Sequence, residues 1–187
     1  MKKILLSLLT LIPVVSLSQL TTISPDTVCF QTSGSIYEVP NTPGYTYDWV
    51  ISSPGIILGG QGTSQISVDW SNAPLGTITN GVSVSATNSD GCTSPSINLD
   101  VFIFQITPTI TSISPLCSNE PCVPLVGTPI GGVFSGPGVT GNQFCPSDGN
   151  LGSNTITYTI TQGGCTFTIT TTVIVNPQPI LSPIQHN

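Results

Sequence analysis

The sequence predicts an all-β protein in which disulfide bonds staple two tandem β-sandwich modules. Three observations predict this fold class. Apolar and polar residues alternate with a period of two, glycine-rich and proline-rich turns separate the alternating segments, and six cysteines occur in a chain that begins with an export signal. Alternation of this period is typical of antiparallel strands that bury one face, and the cysteines of exported chains usually form disulfides.

The alternation is clearest in five segments. They cover residues 66–70, 82–87, 97–103, 155–161 and 166–170. Turn-forming sequences lie between them, among them Asn88-Ser89-Asp90-Gly91 and Gln162-Gly163-Gly164, where glycine supplies a positive φ. Many short strands joined by regular turns predict a sandwich of two sheets.

A secretory signal peptide is predicted over residues 1–18. Lys2 and Lys3 give a positive start, a short apolar run follows, and small residues precede Gln19. No cysteine stands at the new N-terminus, which disfavours a lipid anchor, and no later segment is long and apolar enough for a membrane helix. We therefore expect an exported protein, extracellular or on the outer cell surface, without membrane insertion.

The charge of the mature chain excludes several partners. Both basic residues, Lys2 and Lys3, lie in the signal peptide, so the mature protein has no Lys or Arg and a side-chain charge of −8 from its eight acidic residues. Nucleic-acid binding depends on Lys and Arg contacts to phosphate, so no nucleic acid is expected as a partner. Anionic lipid surfaces are disfavoured for the same reason.

Two internal matches divide the chain into modules, predicted at residues 19–105 and 106–176. Ile23-Ser24-Pro25 and Ile113-Ser114-Pro115 each precede a cysteine, and Gly91-Cys92-Thr93 matches Gly164-Cys165-Thr166. Residues 177–187 contain Leu181-Ser182-Pro183, which is similar to the segments that open the two modules, and they are either a proline-rich linker or the start of a further repeat beyond Asn187.

The same repeat predicts how the cysteines pair. The first and last cysteines of each module are expected to bond to each other, and the remaining two then bond within the smaller module. The predicted bonds are Cys29–Cys92, Cys117–Cys165 and Cys122–Cys145. A zinc site at Cys117 and Cys122 is disfavoured, because there is no Cys-x-x-Cys pair and no nearby histidine.

Several stretches of the chain carry a resemblance to known repeats. They are Tyr-Thr-Tyr-Asp-Trp-Val at 45–50, Gly-Gln-Gly-Thr-Ser-Gln-Ile-Ser-Val-Asp-Trp at 60–70, residues 82–88, the glycine-rich segment 127–139, and residues 154–158. The first module resembles PKD-like repeats and the second resembles companion Ig-like repeats of Bacteroidota surface proteins. The resemblance implies immunoglobulin-like sandwiches in adhesin-like proteins, some of them tied to gliding and type IX secretion. The Trp-Asp-Phe-Gly-Asp-Gly stretch of standard PKD domains is missing here.

The aromatic residues have two interpretations. Trp49 is predicted to be a core residue packed on the Cys29–Cys92 bond, like the core tryptophan of immunoglobulin sandwiches. Trp70 has the parity of Ile66 and Val68, which predicts that it is a core residue or lies at a strand end. Alternatively, Trp49 joins Tyr45 and Tyr47 in a platform that contacts sugars.

Phe102 and Phe104 raise the same question at the end of their strand. In the alternation of their strand, both residues stand at positions where polar side chains are expected, and both come just before the second module. We expect them to pack at the junction between the modules, because exposed aromatic side chains are unfavourable in water. The alternative is that they contact a ligand.

Three weaker candidate sites are based on short patterns. Asp26-Thr27-Val28 resembles the O-glycosylation motif of Bacteroidota, which makes Thr27 a candidate acceptor. Asp90 and Asp148, each close to asparagine and glycine, are weak candidates for calcium ligands, although such residues are ordinary turn formers. No other metal or cofactor is expected.

The sequence shows no arrangement of residues that is typical of catalysis. Its one histidine, His186, lies in the C-terminal tail, and no motif brings two carboxylates together. We therefore expect no enzyme, but a structural and adhesive segment that binds an extracellular glycan or protein surface. A carbohydrate-binding accessory module is the alternative. Ice binding by threonine rows at 155–172, and a filament built through sheet edges, are less favoured.

Overall fold

The computed structural model describes residues 25–184 and residue 186, so the predicted signal peptide lies outside the described residues. The described part is all-β apart from a single 3-10 turn at Pro146–Asp148. No helix within it is long and apolar enough to cross a membrane. The predicted fold class, two tandem immunoglobulin-like sandwiches with disulfides, is confirmed.

The first sandwich, called module one below, contains seven strands. They are β1 (Asp26–Cys29), β2 (Ser35–Glu38), β3 (Thr46–Ile51), β4 (Ile56–Gly59), β5 (Gln65–Asp69), β6 (Gly76–Thr87) and β7 (Ile97–Phe104). One sheet has the order β1-β7-β6-β3 and the other has the order β2-β5-β4. All neighbouring strands are antiparallel except β1 and β7, which run parallel.

The core of module one lies between these two sheets. The alternation of the sequence places one face of each strand inside, so that β5 and β7 contribute side chains that are almost wholly buried. The largest of them are Ile66 and Val68 of β5 and Val101 and Ile103 of β7, and Trp70, just after β5, is also fully buried.

The second sandwich, module two, contains nine strands, several of them only two residues long. They are β8 (Thr109–Ile110), β9 (Leu116–Cys117), β10 (Val123–Pro124), β11 (Gly127–Thr128), β12 (Val133–Ser135), β13 (Val139–Thr140), β14 (Gln143–Phe144), β15 (Gly152–Gln162) and β16 (Cys165–Asn176). The main sheet has the order β12-β15-β16-β9. A sheet β10-β14-β13 and the pair β8-β11 complete the module.

The main sheets of the two modules correspond strand for strand. In each sheet the first strand pairs parallel to the last, and the last two strands form a hairpin. The register is also the same, since Cys29 lies opposite Phe104 at the end of β7 and Cys117 lies opposite Asn176 at the end of β16. The exact module bounds, 19–105 and 106–176, remain a prediction.

Two of the three predicted disulfides are wrong. The structure bonds Cys29 to Cys165, across the two modules, and leaves Cys92 and Cys117 as free thiols. The third predicted bond, Cys122–Cys145, is present inside module two.

The parallel pairing of first and last strands explains the error. Cys29 lies at the Phe104 end of β7, whereas Cys92 lies in the hairpin at the other end of this eight-residue strand. Eight residues of strand span roughly 25 Å, and the Cα atoms of a disulfide lie within about 7 Å of each other. Cys117 and Cys165 are likewise at opposite ends of the twelve-residue strand β16.

Candidate functional site: the junction between the two modules

The bond between Cys29 and Cys165 forms the centre of a junction between the modules. The two Cα atoms are 5.5 Å apart, although the residues are separated by 136 positions in the chain. The end of β1 and β7 in module one meets the tip of the β15–β16 hairpin in module two. The two modules are therefore joined twice, by the chain between β7 and β8 and by this disulfide.

The tip of the hairpin approaches module one closely at Gly163. This residue has a φ of +58°, and a Cβ atom there would lie 3.3 Å from the Phe104 ring and 3.5 Å from Thr27 Cγ2. Glycine suits the position on both counts, because it accepts positive φ and leaves room for the ring. The candidate glycosylation site Thr27 is exposed and lies beside this turn.

Two phenylalanines pack across the junction, and a third packs against one of them. The centroids of Phe102 and Phe104 are 6.1 Å apart, and Phe104 meets Phe167 of module two edge to face at 5.9 Å. All three rings are partly buried. Aromatic pairs in this geometry contribute about 0.5–1.5 kcal/mol beyond the area they bury. The structure thus places Phe104 at the junction, and Phe102 lies beside it with its ring against Phe104.

Both tryptophans lie in the core of module one. The Trp49 side chain is 3% exposed and its indole N–H donates to the Thr63 carbonyl oxygen at 2.8 Å. Trp70 is fully buried. The predicted packing of Trp49 on a Cys29–Cys92 bond is wrong, because that bond does not form. Neither indole face is available to stack on a sugar.

Tyr47, within β3, and Tyr45, just before this strand, differ in exposure. Tyr47 is buried, and its hydroxyl donates to the Pro40 carbonyl at 3.0 Å and accepts from the Thr42 N–H at 2.8 Å. Tyr45 is 43% exposed and lies on the rim of a shallow cavity of about 200 Å³ that Val84 and Pro95 also line. Of the proposed aromatic platform, only Tyr45 faces solvent.

Gln61 is a site residue that sequence reasoning missed. β3 is an edge strand, so the backbone of Trp49 has no neighbouring strand on one side. The Gln61 side chain takes that place, since its Oε1 accepts from the Trp49 N–H at 3.2 Å and its Nε2 donates to the Trp49 carbonyl at 3.1 Å and to Asp48 Oδ1 at 3.0 Å. A covered edge resists pairing with a strand of another molecule.

The candidate calcium ligands serve in turns. Asn88 Oδ1 accepts hydrogen bonds from the backbone N–H groups of Asp90 and Cys92, which forms an Asx turn. The Asp148 carboxylate accepts from the Ser147 hydroxyl at 3.1 Å. Within residues 25–184 and 186, no three His, Cys, Asp or Glu side chains come together in a group that could hold a metal ion.

The threonine rows form one face of the β15–β16 hairpin. Four threonines of β15 lie directly opposite four of β16, and the hydroxyls of Thr161 and Thr166 are 3.0 Å apart. The pairs are Thr155 with Thr172, Thr157 with Thr170, Thr159 with Thr168 and Thr161 with Thr166. Their side chains are exposed or partly exposed, whereas alternate residues such as Ile156 and Tyr158 are buried.

Comparison with known proteins bears on module one. Residues 16–101, less than half of the chain, match the family model of a PKD-like domain. No curated protein sequence matches the chain. Among solved structures, the fibronectin(III)-like modules of Clostridium thermocellum CbhA share 13% identity, over 89% of this chain and 97% of that one, with a TM-score of 0.41.

Two further solved structures are similar in parts. The protocadherin GammaB4 extracellular domain shares 13% identity over 85% of this chain and 35% of that one, with a TM-score of 0.30. The titin domains z1z2 in complex with telethonin share 18% identity over 83% of this chain and 93% of that one, with a TM-score of 0.27. With its sandwich fold and its match over residues 16–101, module one is similar to PKD-like domains, which indicates a structural domain of the extracellular type.

Proposed function

We propose that this chain is a non-catalytic structural and adhesive segment of an exported protein, in which two sandwiches form one stiff spacer. The observation that carries the proposal is the Cys29–Cys165 bond across the junction. Tandem domains joined only by a linker move relative to each other by default. A second covalent connection removes most of that freedom, and the packed rings of Phe104 and Phe167 resist what remains.

The bond also stabilises the folded chain as a whole. It closes a loop of 136 residues, and the chain-entropy model assigns such a loop about 5 kcal/mol. The protein has no Lys or Arg after the predicted signal peptide, so ion pairs contribute little. Covalent links and apolar burial therefore hold the spacer together in the oxidising space outside the cell.

The proposal also covers the kind of protein in which the spacer occurs and the partner that it binds. The resemblance to Bacteroidota repeats supports a place in a surface protein of the adhesin type, exported by the type IX route. The proposed partner is an extracellular glycan or protein surface, and the proposal includes further repeats on the C-terminal side. The burial of Trp49 and Trp70 weakens the carbohydrate-binding alternative, for which Tyr45 and its shallow cavity are the remaining support.

Small-angle X-ray scattering tests the stiff spacer. The protein would carry Cys92→Ser and Cys117→Ser so that no free thiol can exchange, and it would be compared with the same protein that also carries Cys29→Ser and Cys165→Ser. We expect a larger radius of gyration and a broader distance distribution without the junction bond. Circular dichroism would show that both modules stay folded. Identical scattering curves would overturn the proposal.

Binding is tested separately. The oxidised mature protein would be applied to a glycan and mucin array with and without calcium. Selective binding that Tyr45→Ala abolishes would assign the carbohydrate alternative, whereas binding to protein-coated surfaces alone would support adhesion to a protein.

A further inference from the structure

We propose that Cys117 of one copy and Cys92 of a second copy form a disulfide bond that links copies of this chain head to tail. This bond would create, between two molecules, the same kind of junction that Cys29 and Cys165 create within a single molecule. This inference does not depend on the proposed adhesive role, since it concerns the two free thiols alone.

Cys117 occupies the position in module two that Cys29 occupies in module one. Each is the last residue of the first strand, β9 or β1, and each first strand runs parallel to the last strand of its sheet. Cys29 lies opposite Phe104, the last residue of β7, and Cys117 lies opposite Asn176, the last residue of β16. The two thiols are therefore presented at the same end of equivalent sheets.

Cys92 occupies the position in module one that Cys165 occupies in module two. In module two, Thr161 pairs with Thr166, and Cys165 is the residue before Thr166. In module one, Thr87 pairs with Thr93 at the equivalent hairpin, and Cys92 is the residue before Thr93. Cys92 therefore has the same place at the base of its hairpin turn as Cys165, although its turn is one residue longer, and Cys92 is exposed whereas Cys165 is buried by the junction.

The two free thiols lie at opposite outer ends of the molecule. Cys92 is in the hairpin at the end of module one away from the junction, and Cys117 is at the end of module two away from the junction. They cannot meet within one copy, but each copy offers both halves of the same kind of junction. A contact between two different surfaces of this sort builds open chains of molecules rather than closed pairs.

The junction between copies would lack the aromatic packing of the internal one. By the same register, Asn176 stands in place of Phe104, Ile174 in place of Phe102, and Ser94 in place of Phe167. The Cys92–Cys117 bond would therefore be the main connection and would stay open to solvent. We expect small thiols to reduce it before they reduce Cys29–Cys165.

The bond requires an oxidant, which a small-molecule disulfide such as oxidised glutathione supplies. The thiolate of Cys117 attacks the disulfide and forms a mixed disulfide, and one glutathione thiol leaves. The Cys92 thiolate of the second copy then attacks the Cys117 sulfur and releases the second glutathione. Two protein thiols are oxidised and one small disulfide is reduced to two thiols, with the protein protons passing to the leaving thiolates.

The test uses the mature chain, treated with a low concentration of reductant and then with oxidised glutathione. Non-reducing electrophoresis should show a ladder of multimers, and mass spectrometry should find a peptide pair that joins Cys92 to Cys117. Chymotrypsin serves for the digest, because the mature chain has no site for trypsin. Monomers with glutathione on both thiols, or a Cys92–Cys117 bond within one copy, would overturn the proposal.

A mixing experiment separates a specific junction from random collision. Cys92→Ser keeps only Cys117, and Cys117→Ser keeps only Cys92, so each variant alone can form only a symmetric dimer. In an equimolar mixture we expect the dimer of unlike variants to exceed the share that random pairing gives. If the dimer of unlike variants forms only in the proportion that random pairing gives, the proposal is overturned. The Cys92→Ser, Cys117→Ser double variant provides the monomeric control.

Discussion

The indole N–H of Trp70 donates a hydrogen bond to the hydroxyl oxygen of Tyr37 at 3.1 Å, inside the core of module one. Trp70 is fully buried and Tyr37 is 7% exposed. Burial, and after it the negative charge of Asp26, raises the pKa of the Tyr37 hydroxyl well above its ordinary value. The protonated hydroxyl is therefore part of the folded structure.

Alkaline pH is expected to destabilise module one through Tyr37. An unfolded tyrosine loses its proton near pH 10, whereas the folded one keeps it to higher pH. The stability that Tyr37 contributes is thus fully present below pH ~10 and declines above it, by up to about 1.4 kcal/mol per pH unit. Urea unfolding from pH 8 to 11, followed by tryptophan fluorescence in the Cys92→Ser, Cys117→Ser protein, measures the slope.

Tyr37→Phe supplies the control for this prediction. The variant should lose the part of the alkaline slope that Tyr37 contributes, and it should be less stable at neutral pH by about 1–3 kcal/mol because the Trp70 N–H loses its acceptor. Parallel pH profiles for the two proteins would contradict the assignment.

Gly127→Ala is expected to destabilise module two. A Cβ atom at Gly127 would lie 2.5 Å from Cζ of the buried Tyr158 ring, which is too short for a contact between two non-bonded carbon atoms. Overpacking of this kind costs about 1–3 kcal/mol. Gly59→Ala in module one is the matched control, since nothing lies within 4 Å of its Cβ position. Thermal unfolding of both variants checks the prediction, and equal melting temperatures would count against it.

Phe104→Ala is expected to expose the junction bond. The ring covers Gly163 and meets Phe167, so its removal opens a path for small thiols to the Cys29–Cys165 sulfurs. We expect faster reduction of this bond by dithiothreitol, measured by alkylation and mass spectrometry, with Cys122–Cys145 as the internal reference. Val133→Ala, at a side chain that is 69% exposed, should leave the rate unchanged. An unchanged rate in Phe104→Ala would show that the ring does not protect the bond.

Gln61→Ala is expected to promote association through β3. The substitution frees the Trp49 N–H and carbonyl on an edge strand, and such groups pair readily with other strands. Static light scattering at rising concentration should show larger particles than for the parent protein. Gln65→Ala is the control, because the Gln65 side chain bonds only to Glu38 Oε2. Equal scattering from both variants would show that Gln61 does not protect the edge.

The residue pattern predicted local structure well and long-range pairing poorly. The parity of Trp70 with Ile66 and Val68 was sufficient to place it inside, because alternation along a strand determines which face a side chain occupies. Trp49 was placed inside by its likeness to the core tryptophan of immunoglobulin sandwiches. The partner of Cys29 depended instead on the parallel pairing of β1 with β7, which no local pattern encodes. The repeat correctly related Cys92 to Cys165, but bonds inside modules were assumed where the structure forms one between them.

The site residues that were missed share a physical cause. Gln61 lies in a short loop with no periodicity, and its role arises from the backbone of Trp49 at the outer edge of β3, twelve residues earlier in the chain. Gly127 and Gly132 were noted as part of a glycine-rich segment, but the reason for them is the Tyr158 ring that packs against both. Such contacts between distant segments become visible only in the folded chain.

The junction bond also changes how the molecule carries a pulling force. Tension applied between residues 25 and 177 passes along β1 to Cys29, crosses the disulfide to Cys165, and continues along β16. The chain between the two cysteines is left out of the path. The Cys122–Cys145 bond keeps 23 of its 136 residues closed, so that 136 − 23 = 113 remain, and at about 3.4 Å per residue their hidden length is roughly 380 Å. While the bond is intact, nearly all of module one bears no load, and the segment yields little length when it is stretched. Reduction of one disulfide would convert an almost inextensible tether into a long and compliant one.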